Sequence, residues 1–171
     1  MTFKTIGAGL FIAALFYRAR PNVQIYCAGL LLVFLGEALR LWAAGHLRKN
    51  RVVTTTGPYA YVKNPLYLGT LLILLGFCSA AGQGPLLLVG LAVFVFYYAP
   101  AKKQTEAARL RALFGAAWTD YDRSVPDYFP RWRAYPLRSA QRWNGSWVIG
   151  NGEHRTAMAV MIGLVLLAMR M

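Results

Sequence analysis

Apolar residues along this chain fall into long blocks that are separated by shorter polar stretches. Inside the blocks they follow neither a 3.6-residue nor a 2-residue period, which is typical of segments that are apolar on all sides and cross a membrane. The pattern predicts an all-α integral membrane protein with about five transmembrane helices, over residues 5–17, 22–45, 65–82, 85–100 and 156–170.

Two polar segments, 46–65 and 101–145, interrupt this pattern and are predicted to lie on the same side of the membrane. Residues 102–113 favour a helix, and Leu110 and Phe114 near its end have helical spacing. One apolar face would then rest on the membrane surface or under the helical bundle, so the second segment is predicted to be an amphipathic helical tail.

Composition and charge support a membrane location. Hydrophobic residues make up 57% of the chain, and the net charge is +13. Most Lys and Arg lie in the two polar segments, which the positive-inside rule places in the cytosol. Cations beside a membrane favour anionic lipid headgroups over nucleic acid as partners. Residues 1–171 are expected to form one domain, and without a CxxC or Cys/His cluster no metal site or disulfide is expected.

The block 5–17 has a second interpretation, a cleavable signal peptide. It is preceded by Lys4 and followed by Arg18 and Arg20, but no small-x-small cleavage site comes after it. A first helix that is retained in the protein is therefore the preferred prediction.

The stretch 57–69 is a polar, aromatic turn at the start of the third apolar block. Asn64 is a good N-cap residue, and Pro65 suits the first helical position because no N–H is needed there. A helix is predicted to start at Pro65, with the positive end of its dipole available to an anion such as a cofactor carboxylate. Gly69, about one turn further on, would let a ligand approach the backbone closely.

Tyrosine rings at positions 59, 61 and 67 accompany this helix start and can stack on a purine or face a cation. The predicted hairpin over 66–100 returns the chain to the same side of the membrane. Glu106 is therefore expected near the tyrosines, where it could accept a hydrogen bond from a ribose diol or an ammonium. The alternative is that Glu106 is a solvated member of a salt bridge.

Glu37 and Arg40 lie three residues apart in the second apolar block and so share one helix face. Ionisable groups in a membrane helix usually face the protein interior or a water-filled cavity. Two interpretations stay open: an ion pair within the helix near the membrane interface, or one wall of a polar pocket.

Short motifs at these positions recur in one known family. They are Gly57-Pro58-Tyr59, Lys63-Asn64-Pro65-x-Tyr67-x-Gly69, Glu106, Phe114-Gly115, Tyr121, Val125-Pro126 and Pro130-Arg131. With this set, the chain resembles the isoprenylcysteine carboxyl methyltransferase and phospholipid N-methyltransferase superfamily over about residues 36–131. The first and the last apolar blocks lie outside the resemblance.

The resemblance implies an S-adenosylmethionine-dependent membrane methyltransferase, with a cytosolic active site and a lipophilic acceptor that enters from the bilayer. Lys63, Asn64, Pro65, Tyr67, Gly69 and Glu106 would match the family's cofactor site, and the predicted cofactor-binding set adds Tyr61 and Val62 of the same turn. Two positions depart from the family pattern. Its frequent Arg-His is Lys63-Asn64 here, and its frequent acidic pair is Thr105-Glu106.

The methyl acceptor stays open between an isoprenylcysteine-type carboxylate and a lipid amine. A carboxylate needs only a cation to orient it, for which Arg131 and Arg40 are the candidates. An amine must lose a proton, and Glu37 or His46 could take it. Two other classes remain as alternatives: a sterol-type NADPH reductase-like membrane enzyme, and a non-enzymatic lipid-binding membrane protein.

Overall fold

A computed structural model describes residues 3–136 and 141–171 of the chain. Side chains are described at 7, 9–96, 105–136 and 141–171. The regular secondary structure of this described part is helical throughout, without a β-strand, so the predicted all-α class is confirmed. Residues 137–140 of the predicted tail segment lie outside the described residues.

The first two helices, α1 and α2, span Phe3–Arg18 and Val23–His46 and lie over the first two apolar blocks. Asn22 caps α2, because its side chain accepts a 2.9 Å hydrogen bond from the backbone N–H of Ile25. After α2 the chain forms a polar loop and then a single 3₁₀ turn, Gly57–Ala60.

Helix α3, Pro65–Ala80, starts at the predicted residue and packs antiparallel against α2 along a seam of glycines. A methyl group on Gly36 would lie 2.7 Å from the carbonyl oxygen of Gly69, and one on Gly76 would lie 2.8 Å from that of Gly29. Only residues without a side chain let two helix backbones approach this closely, as in the small-residue interfaces of membrane helices.

Helix α4, Gly84–Val93, continues through a π-helical turn, Phe94–Tyr98, into α5, Ala99–Phe114. The sequence predicts that Pro100 ends or kinks the fourth helix, and in the structure Pro100 is the second residue of α5, directly after the π-helical turn. A π-helical turn shifts the backbone hydrogen-bond register by one residue. Placed just before Pro100, it accommodates the missing proline N–H without breaking the helix.

Three further helices follow: α6, Ala116–Ser124, α7, Gly145–Gly150, and α8, Glu153–Ala168. The apolar pattern predicts only the last of them, and α8 begins three residues before the predicted start. Gly115 separates α5 from α6 at φ +56°, a conformation that favours glycine.

Buried apolar side chains in the described residues form separate clusters. One joins α1, α3 and α8 around Leu15, Cys78 and Leu167, and another joins α2 to α8 around Val33 and Leu164. An aromatic cluster lies apart from these, between α5, α6 and the chain that follows α6. The part of the tail that the structure describes therefore packs around an aromatic cluster, which Val53 of the loop after α2 also contacts.

Among the described residues, one helix, α2, is long and apolar enough to cross a membrane by its length and composition. Helices α3 and α4 are apolar but shorter, so the predicted count of five spans is not confirmed. Large apolar side chains are exposed on α2, α4 and α8, among them Leu31, Leu88 and Met158. Such exposure over several helices is unusual for a protein surrounded by water.

Candidate functional site

A cavity of about 280 Å³ lies between the start of α3, helices α5 and α6, and the loop 47–54. Asn151, which caps the end of α7, and Glu153, at the start of α8, also line the cavity. The four residues from Asn64 to Tyr67 all line the cavity. Its wall combines carboxylates, cations and aromatic rings, the mixture with which ligand pockets orient and pack a small molecule.

Tyr67 and Glu106 meet on the cavity wall. The Tyr67 hydroxyl donates a 2.7 Å hydrogen bond to Oε2 of Glu106, 39 residues further along the chain. The bond joins α3 to α5 and holds the carboxylate beside the helix start. The structure therefore places Glu106 next to the aromatic turn, where the hairpin argument expects it.

Asn64 occupies the N-cap position of α3, but the predicted side-chain cap is wrong. Its backbone, at φ −120° and ψ 55°, is not in the extended conformation that a capping residue adopts. The side-chain amide instead donates a 3.1 Å hydrogen bond to the backbone carbonyl of Asp127. Asn64 thus attaches the helix start to the chain after α6.

Lys63 is held by two carboxylates. Its Nζ lies 2.6 Å from Oδ1 of Asp122 and 3.0 Å from Oδ1 of Asp127, and it donates to the backbone carbonyl of Asp122 at 3.1 Å. These three acceptors match the three donors of an ammonium group. Lys63 therefore binds α6 and the chain after it to the turn, and it also belongs to the wall of the cavity.

The chain after α6 runs beside the turn and is hydrogen-bonded to it. The backbone N–H of Arg131 donates to the carbonyl of Tyr61 at 3.0 Å, and that of Tyr135 donates to Ala60 at 2.8 Å. The guanidinium of Arg131, a predicted catalytic residue, donates to the carbonyl of Ser124 at 2.8 Å. Arg131 does not line the cavity.

Two buried tyrosines, Tyr59 and Tyr121, belong to the cavity wall. The Tyr121 hydroxyl donates a 2.8 Å hydrogen bond to the backbone carbonyl of Tyr59. Burial raises the pKa of both phenols above the ordinary value, because desolvation disfavours the charged phenolate. Both side chains are therefore neutral at physiological pH.

Arg40 joins three helices outside the cavity. Its Nη2 lies 2.7 Å from Oε2 of Glu153 in α8, and its Nη1 donates to the Thr70 hydroxyl at 2.5 Å in α3. The interpretation of an ion pair within α2 is therefore wrong, because Glu153 takes the guanidinium. Glu37 has two buried carboxylate oxygens without a hydrogen-bond partner among the described residues. Neither Glu37 nor Arg40 lines the cavity.

Gly69 faces α2 rather than the cavity. A Cβ at this position would lie 2.6 Å from Cγ of Arg40 and 2.8 Å from the carbonyl oxygen of Gly36. The space that the sequence argument assigns to a ligand is filled by α2. Tyr61 and Val62 also lie outside the lining of the cavity, and Val62 is buried in the protein.

Several residues that line the cavity were not predicted from the sequence. Two of them, Thr54 and Trp118, have a buried polar atom without a hydrogen-bond partner among the described residues. The sequence does contain a pattern that indicates Trp118, because Leu110, Phe114 and Trp118 are spaced four residues apart, and all three line the cavity. Glu153 stands at a helix start, where acids are common, but its pairing with Arg40 has no signal in the sequence.

The chain has relatives among known proteins. Residues 23–117 match a family profile described as phospholipid methyltransferase. The cobalt-zinc-cadmium resistance protein CzcN of Cupriavidus metallidurans is 34% identical over 117 residues, which cover 67% of this chain and 52% of that protein. The nickel-cobalt-cadmium resistance protein NccN of Alcaligenes xylosoxydans xylosoxydans is 31% identical over 112 residues, or 64% of this chain and 52% of that protein.

This chain spans about half the length of the curated relatives that it matches. No solved structure matches it. Within the described residues, no group of three or more His, Cys, Asp and Glu side chains is placed to hold a metal ion. The family match covers α2, the turn, α3, α4 and α5, and it ends just after α6 begins.

Proposed function

Since the chain belongs to the phospholipid methyltransferase family, we propose that it transfers a methyl group from S-adenosylmethionine to a lipophilic acceptor. The observation that carries the proposal is the hydrogen bond from Tyr67 to Glu106 on the wall of the cavity. A carboxylate held in this way can accept from a ribose diol or an ammonium, and S-adenosylmethionine has both groups.

The side chains that line the cavity fit this cofactor. Glu106 supplies an acceptor, while Arg48 and Lys49 supply positive charge for the carboxylate of the cofactor. Leu110 and Phe114 supply an apolar surface for the purine.

When bound, S-adenosylmethionine supplies a methyl group on a positively charged sulfur, which an acceptor displaces in line. The residues of this chain have the tasks of positioning the two molecules and excluding water. Tyr59 and Tyr121 give the cavity a buried, neutral wall. Lys63 keeps α6 in place against the turn through Asp122.

Two classes of methyl acceptor are proposed, a carboxylate and an amine. For a carboxylate, the cations on the cavity wall, Arg48 and Lys49, are better placed than Arg131 and Arg40, whose guanidinium groups bond elsewhere. For an amine, the two bases that the sequence offers, Glu37 and His46, both lie outside the lining of the cavity, so the structure favours neither of them as the base.

We further propose that the chain is a multi-pass membrane protein with the cavity at its cytosolic face. The length of α2 and the exposed apolar residues on several helices support a membrane location. Basic residues around the cavity support the cytosolic side by the positive-inside rule. Cleavage or labelling of the loop 47–54 in sealed vesicles of known orientation tests on which side of the membrane the cavity lies. Reaction only from the face opposite the cytosolic one would contradict the proposal.

The loop after α6 has the side chains of a lipid contact. Phe129 and Trp132 are 86% and 101% exposed and lie beside Arg131 and Arg133, a combination that suits an interface with anionic headgroups. In nanodiscs that contain brominated phospholipid, the fluorescence of Trp132 should be quenched. The Trp132→Phe variant should then show a smaller quenched fraction than the wild type, and an equal fraction would remove this loop from the interface.

Methyl transfer is tested with labelled S-adenosylmethionine and membranes that contain the chain. The proposal expects label in lipid extract with the wild type and none with Glu106→Ala of equal thermal stability. Label released by mild base identifies a methyl ester and so a carboxylate acceptor, whereas stable label identifies an amine. No label from folded wild-type protein with any lipid extract would contradict the proposal.

A further inference from the structure

A second cleft lies at the end of the helical bundle away from the cavity. Its volume is about 820 Å³. It is lined by the end of α1, the loop before α4 and the chain after α8, through Tyr17, Arg18, Ala19, Arg20, Gln83 and Arg170. Helices α3 and α8 each begin at the cavity and run for 16 residues toward this cleft. At 1.5 Å per residue, the two sites are about 24 Å apart, so the cleft is separate from the proposed cofactor site.

The backbone around the cleft is held in place by hydrogen bonds and packing. The backbone N–H of Arg20 donates a 3.0 Å hydrogen bond to the carbonyl of Ala81. The side-chain amide of Gln83 donates one of 2.5 Å to the carbonyl of Arg18. Leu167 of α8 packs in the same buried cluster as Ala81, so the end of α8 is held there as well. The arginines of the cleft therefore stand on packed backbone rather than on loose chain ends.

The described lining of this cleft holds three cations and no carboxylate side chain. Within the described part of the chain, Arg18, Arg20 and Arg170 form no ion pair. Four of the six Asp and Glu residues line the distant cavity, and the other two lie in α6 and in the second half of α2. Because like charges that converge repel each other, an anion from outside the chain would stabilise this arrangement.

Exposed apolar side chains flank the three cations. Tyr17 on the cleft wall is 84% exposed, and Met169, next to Arg170, is 78% exposed. In the proposed orientation the cavity faces the cytosol, so this cleft lies at the opposite surface of the membrane. The positive-inside rule makes a cluster of arginines unusual on that side. Cations beside apolar side chains at a membrane surface match the two chemical parts of a phospholipid, its phosphate and its acyl chains.

We propose that this cleft binds the headgroup of an anionic phospholipid, an assignment that rests on the proposed membrane location but not on methyl transfer. The arginines hold the phosphodiester, because guanidinium groups form paired, charge-assisted hydrogen bonds with phosphate oxygens. The glycerol and acyl chains lie beside Tyr17 and Met169. A headgroup of net negative charge fits three cations better than a zwitterionic headgroup, whose ammonium they repel.

The test uses the full chain in non-ionic detergent, titrated with dioctanoyl phosphatidylglycerol while the thermal unfolding midpoint is measured. Binding to the folded state raises the midpoint by mass action. We expect a saturable rise that neither dioctanoyl phosphatidylcholine nor inorganic phosphate reproduces. The double variant Arg18→Gln/Arg170→Gln should bind phosphatidylglycerol at least tenfold more weakly, because hydrogen bonds to a charged group are lost. Both side chains are exposed, so the midpoint without lipid should stay the same or rise.

The matched control is Arg123→Gln/Arg155→Gln, which removes the same charge from exposed positions in α6 and α8, outside the lining of both sites. It should keep the affinity of the wild type. Equal losses in the two double variants would show that net charge alone attracts the lipid and would overturn the site.

Two other results would also overturn this site: a wild type that does not bind phosphatidylglycerol, or one that binds phosphatidylcholine or inorganic phosphate equally well. None of these results bears on methyl transfer, which labelled S-adenosylmethionine tests. Labelling of the loop 47–54 in vesicles tests the membrane orientation separately.

Discussion

The hydroxyl of Tyr67 donates a 2.7 Å hydrogen bond to Oε2 of Glu106 and so joins the start of α3 to α5. Both residues line the same cavity. The carboxylate is thereby fixed in direction, which matters because a fixed acceptor discriminates between ligands better than a mobile one. Cofactor recognition in the proposed function depends on this pair.

Removal of the Glu106 carboxylate should therefore weaken ligand binding more than removal of the Tyr67 hydroxyl. We expect Glu106→Ala to lower the affinity for S-adenosylhomocysteine at least tenfold, since a hydrogen bond to a charged group contributes about 1.5–3 kcal/mol. Tyr67→Phe keeps the ring and loses only the positioning bond, so a smaller loss is expected. Calorimetric titration measures both, and Asp120→Ala, an exposed acid on α6, is the matched control. Unchanged affinity in Glu106→Ala would refute the assignment.

Lys63 should matter for stability more than for ligand contact. Lys63→Met leaves the carboxylates of Asp122 and Asp127 without their cation, and breaking such a buried pair costs about 3 kcal/mol. For a chain of this size the unfolding midpoint should fall by roughly 6–12 °C. Arg123→Met, the same change on an exposed side chain of α6, should leave the midpoint nearly unchanged. Equal midpoints for the two variants would contradict this structural role.

Gly69 should tolerate no side chain. In Gly69→Ala the new Cβ meets Arg40 and the backbone of Gly36, and overpacking of this kind costs about 1–3 kcal/mol. Gly9→Ala in α1 is the control, because nothing lies within 4 Å of its Cβ position. The thermal midpoint should fall in the first variant and stay or rise in the second. A stable Gly69→Ala protein would show that α2 and α3 do not pack in this way.

Stability should decrease in alkaline solution. Burial holds the pKa of Tyr59 and Tyr121 above the value of about 10 that they have in the unfolded chain. The unfolded state then loses its phenolic protons first, so the stabilising contribution is complete below about pH 10 and is lost as the pH rises further. Unfolding midpoints between pH 8 and 11 should show a smaller fall for Tyr121→Phe than for wild type. If the unfolding midpoints of wild type and Tyr121→Phe fall equally with pH, ionisation of Tyr121 is not the cause.

Much of the helical layout follows from local sequence signals. The start of α3 at Pro65 is predictable because proline has a fixed backbone angle and no N–H. The apolar blocks indicate helices for the same local reason. The π-helical turn before Pro100 is not predictable in this way, because it depends on how one long helix accommodates a proline within the packed bundle.

The site was predictable in part. Asn64, Pro65, Tyr67 and Glu106 do line one cavity, since the turn and the hairpin bring them together. Lys63 lines it too, but its salt bridges could not be predicted from sequence, because the two carboxylate partners come from the chain some 60 residues later. Such pairings depend on tertiary packing, which neither periodicity nor composition reports.

The central claim is that the cavity beside Tyr67 and Glu106 binds S-adenosylmethionine. The most direct measurement is the thermal unfolding midpoint of the purified chain in detergent during titration with S-adenosylhomocysteine, with NADPH as the rival ligand. A ligand that binds only the folded state raises the midpoint by mass action. The account predicts a saturable rise with S-adenosylhomocysteine that is lost in Glu106→Ala. A rise with NADPH alone, or with neither ligand, would contradict it.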